Sequence, residues 1–209
     1  MLAQDIIEDC EKTLQDPSNA RWSLAELLSW LNEGQRTIVK NKPNAYALTI
    51  DHSLAAGTYQ TMPADGIQLL DVIRNSDAAG GRVARQASRE ELDGVDPNWH
   101  ISTATQAITQ YTYTAYDPLS FYVYPPNDGT GSVVLLYSAI PPEVDDPLDV
   151  ISIPDFYRGP LVDYVLYRCF QKDAEDASNL QLAQSHFTQF MQGLALLAAS
   201  EQINPPSMG

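Results

Sequence analysis

The sequence predicts an α+β protein in which N-terminal and C-terminal helix pairs form an antiparallel helical bundle, with a β-rich domain inserted between them. Three observations support this fold class. Apolar residues recur every three or four positions at both ends of the chain, which is the period of an amphipathic helix. Between residues 46 and 150 the pattern changes to short β-forming runs separated by Gly, Pro and Asp. Because an isolated helical hairpin leaves its apolar side in water, the two terminal pairs are expected to cover each other.

The N-terminal hairpin is predicted over residues 1–45, with helices at about 2–14 and 24–40. The start of the second helix is marked by Ser23 and Glu26, which form a capping box. In that motif each side chain binds the backbone amide of the other residue, so two amides that the helix leaves unpaired are satisfied.

The middle segment, residues 46–150, is predicted to be a β-rich domain with one short helix opened by a second capping box, Ser88 to Glu91. Run 132–139 is the most apolar and is expected to be a central strand. Since proline cannot donate to a strand ladder, Pro118 is expected in a turn and the Pro125-Pro126 pair at a strand end. The predicted strands are 46–52, 57–62, 68–75, 82–87, 108–115, 120–124 and 132–139.

The C-terminal helices are predicted over residues 151–201. Gly159-Pro160 weakens the first turn of the earlier helix, so regular helix is expected to begin near Pro160. The last helix is expected to carry one apolar face, and residues 202–209 to form an extended tail. The face consists of Leu180, Ala183, Phe187, Phe190, Met191, Leu194, Leu197 and Ala198.

The chain has a formal net charge of −15, from 27 acidic and 12 basic residues. Residues 46–150 hold fourteen acidic and four basic residues, so most of the excess is predicted to lie in the β-rich domain. A field of this sign repels phosphates, which disfavours attractive binding of DNA or RNA. Two interpretations stay open: the acids keep the protein soluble, or they form a wall that DNA passes without sticking.

Other patterns disfavour several classes of protein. No run of about 18 apolar residues occurs, so no transmembrane helix is expected. The first residues are acidic where a secretory signal needs a basic segment, which favours a protein kept in the cytoplasm where it is made. Cys10 and Cys169 lie inside apolar helical patterns and are expected to be small buried side chains, not zinc ligands or a disulfide.

The main candidate for chemistry is a group of acids at residues 90–96, close to His100. Clustered carboxylates can bind a divalent cation or share a proton. However, Glu91 is better explained as a helix cap and Asp96 as part of a turn. We therefore predict a protein that is not an enzyme, with no catalytic, cofactor-binding or metal-binding residues.

Six segments in order along the chain carry a family resemblance. They are RWSLAELLSWLNEGQRTIVKNKPNA (21–45), GTYQTMPADGIQLLDVIRN (57–75), REELDGVDPNWH (89–100), YDPLSFYVYPP (116–126), LLYSAIPPEV (135–144) and IPDFYRGPLVDYVLYRCFQKDAE (153–175). Together they resemble the phage adaptor, or head-to-tail connector, proteins, similar to the tail tubular protein A-type adaptors of tailed bacteriophages. Gly159-Pro160 departs from the family pattern, where uninterrupted helix is expected.

The resemblance implies a structural subunit of a ring, a dodecamer, in the neck of the virion. Such a ring joins the portal protein above to a nozzle or tail-tube protein below, and DNA passes through its lumen without specific binding. The resemblance implies no membrane contact and assembly in the host cytoplasm. In such rings the C-terminal segment reaches into the portal. The matching portal-binding residues here are Gln202, Ile203, Asn204, Pro205, Pro206 and Met208.

Two other functions remain as alternatives from the sequence. One is a metal-dependent hydrolase or nuclease that uses the acids at 90–96. The other is a tail-tip module that binds the host. Neither explains the two terminal helix pairs as well as a ring-forming adaptor does.

Overall fold

The computed structural model describes residues 1–203, with side chains described for residues 1–199. In this range the chain forms both helices and strands, which confirms the α+β class. The α-helices are Ala3–Leu14 (α1), Leu24–Asn41 (α2), Arg89–Val95 (α3), Arg158–Lys172 (α4) and Ala177–Ile203 (α5). The strands are Ala47–Ser53 (β1), Gly57–Thr61 (β2), Gly66–Asn75 (β3), Arg85–Gln86 (β4), Gln110–Thr114 (β5), Asp117–Asn127 (β6) and Ser132–Ala139 (β7).

Backbone contacts divide the chain into two compact units. Residues 1–45 and the chain from residue 141 onward form one, which we call the helical unit, and residues 46–140 form the other, the β unit. This division falls ten residues before the predicted boundary at 150. The β unit consequently holds only ten acidic and four basic residues, and the acids at 143–149 belong to the helical unit. The negative charge is therefore spread over both units.

In the helical unit, α4 contacts α1, α2 and α5. Close approach of α2 and α4 depends on Gly34, because a Cβ there would lie only 3.0 Å from the Tyr164 ring. Tyr164 in turn stacks edge-on against Phe190 of α5, with ring centroids 5.1 Å apart. The buried indole of Trp22 donates its N–H to the carbonyl of Cys169 over 3.1 Å. The apolar stripes of the sequence thus pack against one another across large separations along the chain.

All three basic residues of α4 form ion pairs with acids of α1 or α2. Arg158 contacts Asp9 at 2.7 Å, Lys172 contacts Glu26 at 2.7 Å, and Arg168 pairs with Glu33. The Arg158 guanidinium lowers the pKa of the Asp9 carboxyl below its ordinary value. Partly exposed pairs of this kind contribute little to stability, so their main effect is on the alignment of α4.

Local sequence explains where three helices begin, two of them through capping boxes. Both predicted capping boxes are present, at Ser23 before α2 and at Ser88 before α3. Helix α4 begins at Arg158, two residues earlier than predicted, because a 3-10 turn at Asp155–Tyr157 leads directly into it. Pro160 lies in the first helical turn, where backbone amides have no partner within the helix, so its missing N–H costs nothing there.

The β unit contains two sheets, with strand orders β1-β7-β3 and β2-β6-β5-β4. Strand β7 is the middle strand of the first sheet, which confirms the prediction from its apolar sequence. The core of this unit comes from both sheets and includes fully buried Leu69, Phe121 and Leu135.

The structure corrects the prediction that prolines mark strand ends. Strand β6 contains Pro118 and the Pro125-Pro126 pair, and the turn before β6 lies at residues 115–116. The pairing of β6 with β2 shifts register between Gly57 and Tyr59. The proline pair lies opposite this irregular part of the ladder, where the absence of an N–H interrupts no regular hydrogen bonding.

Two buried asparagines replace backbone pairing in the loops of the β unit. The Asn75 side chain donates to the carbonyls of Arg82 (2.6 Å) and Ile108 (2.8 Å) and accepts from the Ile108 amide (2.8 Å). The Asn127 side chain donates to the carbonyls of Thr105 and Gln106 and accepts from the amides of Gly129 and Gly131. Each side chain thereby satisfies backbone groups that no strand pairs.

Candidate interaction surfaces

Helix α5 lacks charged residues over most of its length. From Ala177 to Ser200 the sequence contains no Asp, Glu, Lys or Arg, and the first charged residue is Glu201. In a chain with 19% charged residues, a surface helix of this length is expected to carry several. Loss of charge is typical of the central part of a protein–protein interface.

The apolar side chains of α5 are only partly buried by the chain itself. Of the single face that the sequence predicts, the structure buries Ala183, Phe190 and Leu194. Leu180, Phe187 and Met191 remain about two-fifths exposed, and on the opposite side Leu182 is 43% and Leu196 73% exposed. The prediction of a single apolar face is therefore corrected, because α5 exposes apolar side chains on two sides.

A second surface is one edge of the four-stranded sheet, formed by β4 and the residues before it. All four basic residues of the β unit lie between 74 and 89. Arg82 and Arg85 are exposed and take part in no ion pair among the described residues. Val83, which lies between them, is 62% exposed. We call residues 82–86 the basic edge.

A cavity of about 700 Å³ opens beside the basic edge. It contains both apolar and polar groups, among them the rings of two tyrosines. One acid, Glu90, and one base, Arg89, line it together with Gln86, Ala87, Thr112, Tyr113 and Tyr122.

A third surface is the acidic segment, residues 145–150 of the helical unit. It carries Asp145, Asp146 and Asp149, none of which pairs with a cation in the described part of the chain, together with Leu148 and Val150. Leu148 is 67% and Val150 68% exposed. Exposed apolar side chains between charged ones are typical of a contact surface for another protein.

The acidic segment is held in place by hydrogen bonds at both ends. The buried Asn32 side chain both donates to the carbonyl and accepts from the amide of Val144, each over 2.9 Å. The first residues of the chain pair with the other end, where Ala3 donates to the carbonyl of Asp149 over 2.9 Å. The Asp149 carboxylate accepts the amides of Asp145 and Asp146, and the Asp146 amide contributes most to lowering the pKa of Asp149. The segment is thus pre-organised, which lowers the entropy cost of binding.

Three of the four acids that suggested chemistry, Glu91, Asp93 and Asp96, have a local structural partner, as does His100. The Ser88 amide lowers the pKa of the Glu91 carboxyl, as expected for a helix cap. Among the side chains described, no group of three His, Cys, Asp or Glu residues is placed to hold a metal ion. The contacts are from Ser88 N to Glu91 (2.7 Å), from Trp99 Nε1 to Asp93 (2.8 Å), from Asn98 N to Asp96 (2.9 Å), and between Thr58 Oγ1 and His100 Nδ1 (2.9 Å).

Both cysteines are buried and free, as predicted. Burial raises the pKa of the Cys10 thiol well above its ordinary value and that of Cys169 to about 12. At neutral pH both side chains are therefore neutral thiols. None of the helices in residues 1–203 combines the length and apolar character that a bilayer-spanning segment needs.

The portal-binding residues implied by the resemblance begin inside α5. Gln202 and Ile203 continue its helical backbone, so these two residues are helical and not extended as predicted. Asn204, Pro205, Pro206 and Met208 lie outside the described residues. The sequence missed the basic edge and the acidic segment as surfaces, although the clustering of arginines between 74 and 89 was a visible indication of the first.

Comparison with known proteins assigns the family. No curated protein matches the chain in sequence. The model of the SU10 adaptor protein family matches residues 1–207, almost the whole chain. The family resemblance found in the six sequence segments is thereby confirmed. The chain belongs to the SU10 adaptor protein family and is a bacteriophage adaptor protein.

Proposed function

We propose that this chain is a structural subunit of the head-to-tail adaptor ring in the virion neck, joining the portal protein to the nozzle or tail-tube protein. The family match over residues 1–207 carries the proposal. In the proposed subunit, the terminal helix pairs form one antiparallel bundle, and the β unit is inserted between the two halves of that bundle. A ring of about twelve copies is the form that the resemblance implies, and it has no catalytic role.

Helix α5 is the element proposed to contact the portal. Its uncharged surface can approach another protein without the desolvation cost that carboxylates would add. Its exposed leucines supply apolar area for that contact. Moreover, α5 runs directly into residues 204–209, which continue the implied portal-binding segment.

The same proposal assigns the negative charge a role in the DNA channel. Acids in both units outnumber bases, by seventeen to eight in the helical unit and by ten to four in the β unit. Wherever such a surface faces the lumen, it repels the phosphate backbone, so the genome slides through without adhering. The excess of acids in each of the two units also favours solubility.

The tail is tested by truncation. We expect that removing residues 204–209 weakens binding to the portal protein of the same phage at least tenfold, while the circular dichroism spectrum stays helical. Truncation after Glu201, which also removes Gln202 and Ile203, is expected to weaken binding further. Affinity is measured by biolayer interferometry, and ring formation on the portal by negative-stain imaging. If both truncated proteins bound the portal with full affinity, the tail would not be part of the interface. If the full-length chain did not associate with the portal, the adaptor role would be contradicted.

The α5 surface is tested by substitution. The double variant Leu182→Gln, Leu196→Gln keeps good helix formers and removes exposed apolar area, so we expect at least tenfold weaker portal binding with unchanged thermal stability. Ile101→Gln is the matched control, because Ile101 is an exposed apolar residue of the β unit. Equal portal affinity for the double variant and the control would show that α5 does not face the portal.

A further inference from the structure

The subunits of a ring must present two different surfaces that fit each other. In a closed ring each contact is head-to-tail, so one patch of a subunit meets another patch of its neighbour. Copies of a chain with net charge −15 repel one another unless the contact brings opposite charges together. The chain therefore needs a basic patch to oppose an acidic one, and few places can supply it.

The basic edge is the best candidate for the basic patch. The other basic residues of the β unit, Arg74 and Arg89, form ion pairs with Asp77 and Asp93, whereas Arg82 and Arg85 form none with any described residue. Strand β4 is also the last strand of its sheet, so in the described chain no further strand pairs with its outer side. An edge strand that is open on one side leaves its outer side accessible to another chain.

The acidic segment has the matching chemistry. Its three aspartates carry the opposite charge, and its exposed Leu148 and Val150 are small enough to enter the cavity beside β4. The segment contains no regular secondary structure of its own between Asp145 and Val150. It is also anchored by Asn32, so its backbone is already held when a partner approaches.

We propose that the basic edge of one subunit binds the acidic segment of the neighbouring subunit, a second copy of this chain. Arg82 and Arg85 face Asp145 and Asp146 across the contact, and Leu148 inserts into the cavity beside β4. This inference rests on the proposed ring, and it names the lateral contact within that ring. The α5 surface remains available for the portal.

The test is a charge-reversal exchange between the two patches. One variant carries Arg82→Glu and Arg85→Glu, and the other carries Asp145→Lys and Asp146→Lys. Each variant alone places like charges on both sides of every contact, so we expect loss of the ring. In an equimolar mixture each reversed patch meets the reversed patch of the other variant, and each native patch meets a native one. The mixture is therefore expected to form rings of alternating subunits.

Assembly is measured by native mass spectrometry and sedimentation velocity, for the isolated chain and for the chain mixed with portal protein. The Lys12→Glu, Lys40→Glu variant makes the same change of net charge as the Arg82, Arg85 variant, at exposed positions outside both patches, and is expected to assemble like the native chain. Circular dichroism of each variant verifies its fold. Native rings should also dissociate as salt is raised, since the contact is ionic.

The outcomes separate this inference from the proposed function. Rings formed by either reversed variant alone, or a mixture that stays monomeric while the native chain assembles, would overturn the lateral contact and leave the adaptor role intact. A native chain that stays monomeric both alone and with portal would contradict the ring itself, and the lateral contact with it.

Discussion

Replacing Gly131 with alanine is expected to lower the free energy of unfolding of the β unit by about 3 kcal/mol, at the upper end of the cost of overpacking. A Cβ at Gly131 would lie far inside van der Waals contact of the Gln106 carbonyl and of the Asn127 side-chain amide. Neither neighbour can move freely, because Asn127 makes four hydrogen bonds and one of them is to that carbonyl. The loop from 127 to 131 must shift as a whole.

Urea unfolding followed by tryptophan fluorescence measures this loss, since Trp99 lies buried in the β unit. Gly94→Ala is the matched control. A Cβ at Gly94 meets open space, and the residue is inside α3, so alanine there is expected to be neutral or to stabilise by up to about 1 kcal/mol. Equal free energies of unfolding for the two variants would contradict this prediction, because the loop at Gly131 would then have space for a Cβ that the structure does not show.

Replacing Asn75 with alanine is expected to have an effect at least as large. It removes three hydrogen bonds at once and leaves both backbone groups of Ile108 without partners in the interior. An unpaired buried polar group costs about 1–3 kcal/mol, so the sum is about 3 kcal/mol or more. The same urea unfolding measures it, and hydrogen exchange is expected to accelerate at the Ile108 amide.

Asn98→Ala controls for the loss of an asparagine side chain in the same unit, because the Asn98 side chain is exposed. Its expected change is within about 0.5 kcal/mol. If Asn75→Ala proved as mild as this control, the buried amide would not be what joins the loops at Arg82 and Ile108.

Features with a local cause could be predicted from the sequence. The capping boxes at Ser23 and Ser88 depend on residues three positions apart, and both helices begin there. The central position of β7 followed from its continuous apolar run. In the same way, burial of Cys10 and Cys169 followed from their place in helical stripes.

Features that depend on contacts between residues far apart in the chain could not be predicted from the sequence. The acidic segment joins the helical unit through Asn32, a contact between residues 112 positions apart that leaves no local pattern. Prolines inside β6 are tolerated because of an irregularity in its pairing with β2, which depends on the partner strand. The exposure of α5 was hidden for a related reason, since periodicity shows which side chains are apolar but not which ones the chain itself covers.

The division of the chain also bears on the order in which the protein folds as it is synthesised. The β unit is one continuous stretch, so all of its residues have left the ribosome well before the last helices have. The helical unit cannot be completed until then, because Trp22 meets its hydrogen-bonding partner 147 positions later. Domains generally fold as units during translation. The apolar faces of α1 and α2 are therefore exposed to solvent until α4 and α5 have been synthesised, at a time when the β unit has already folded.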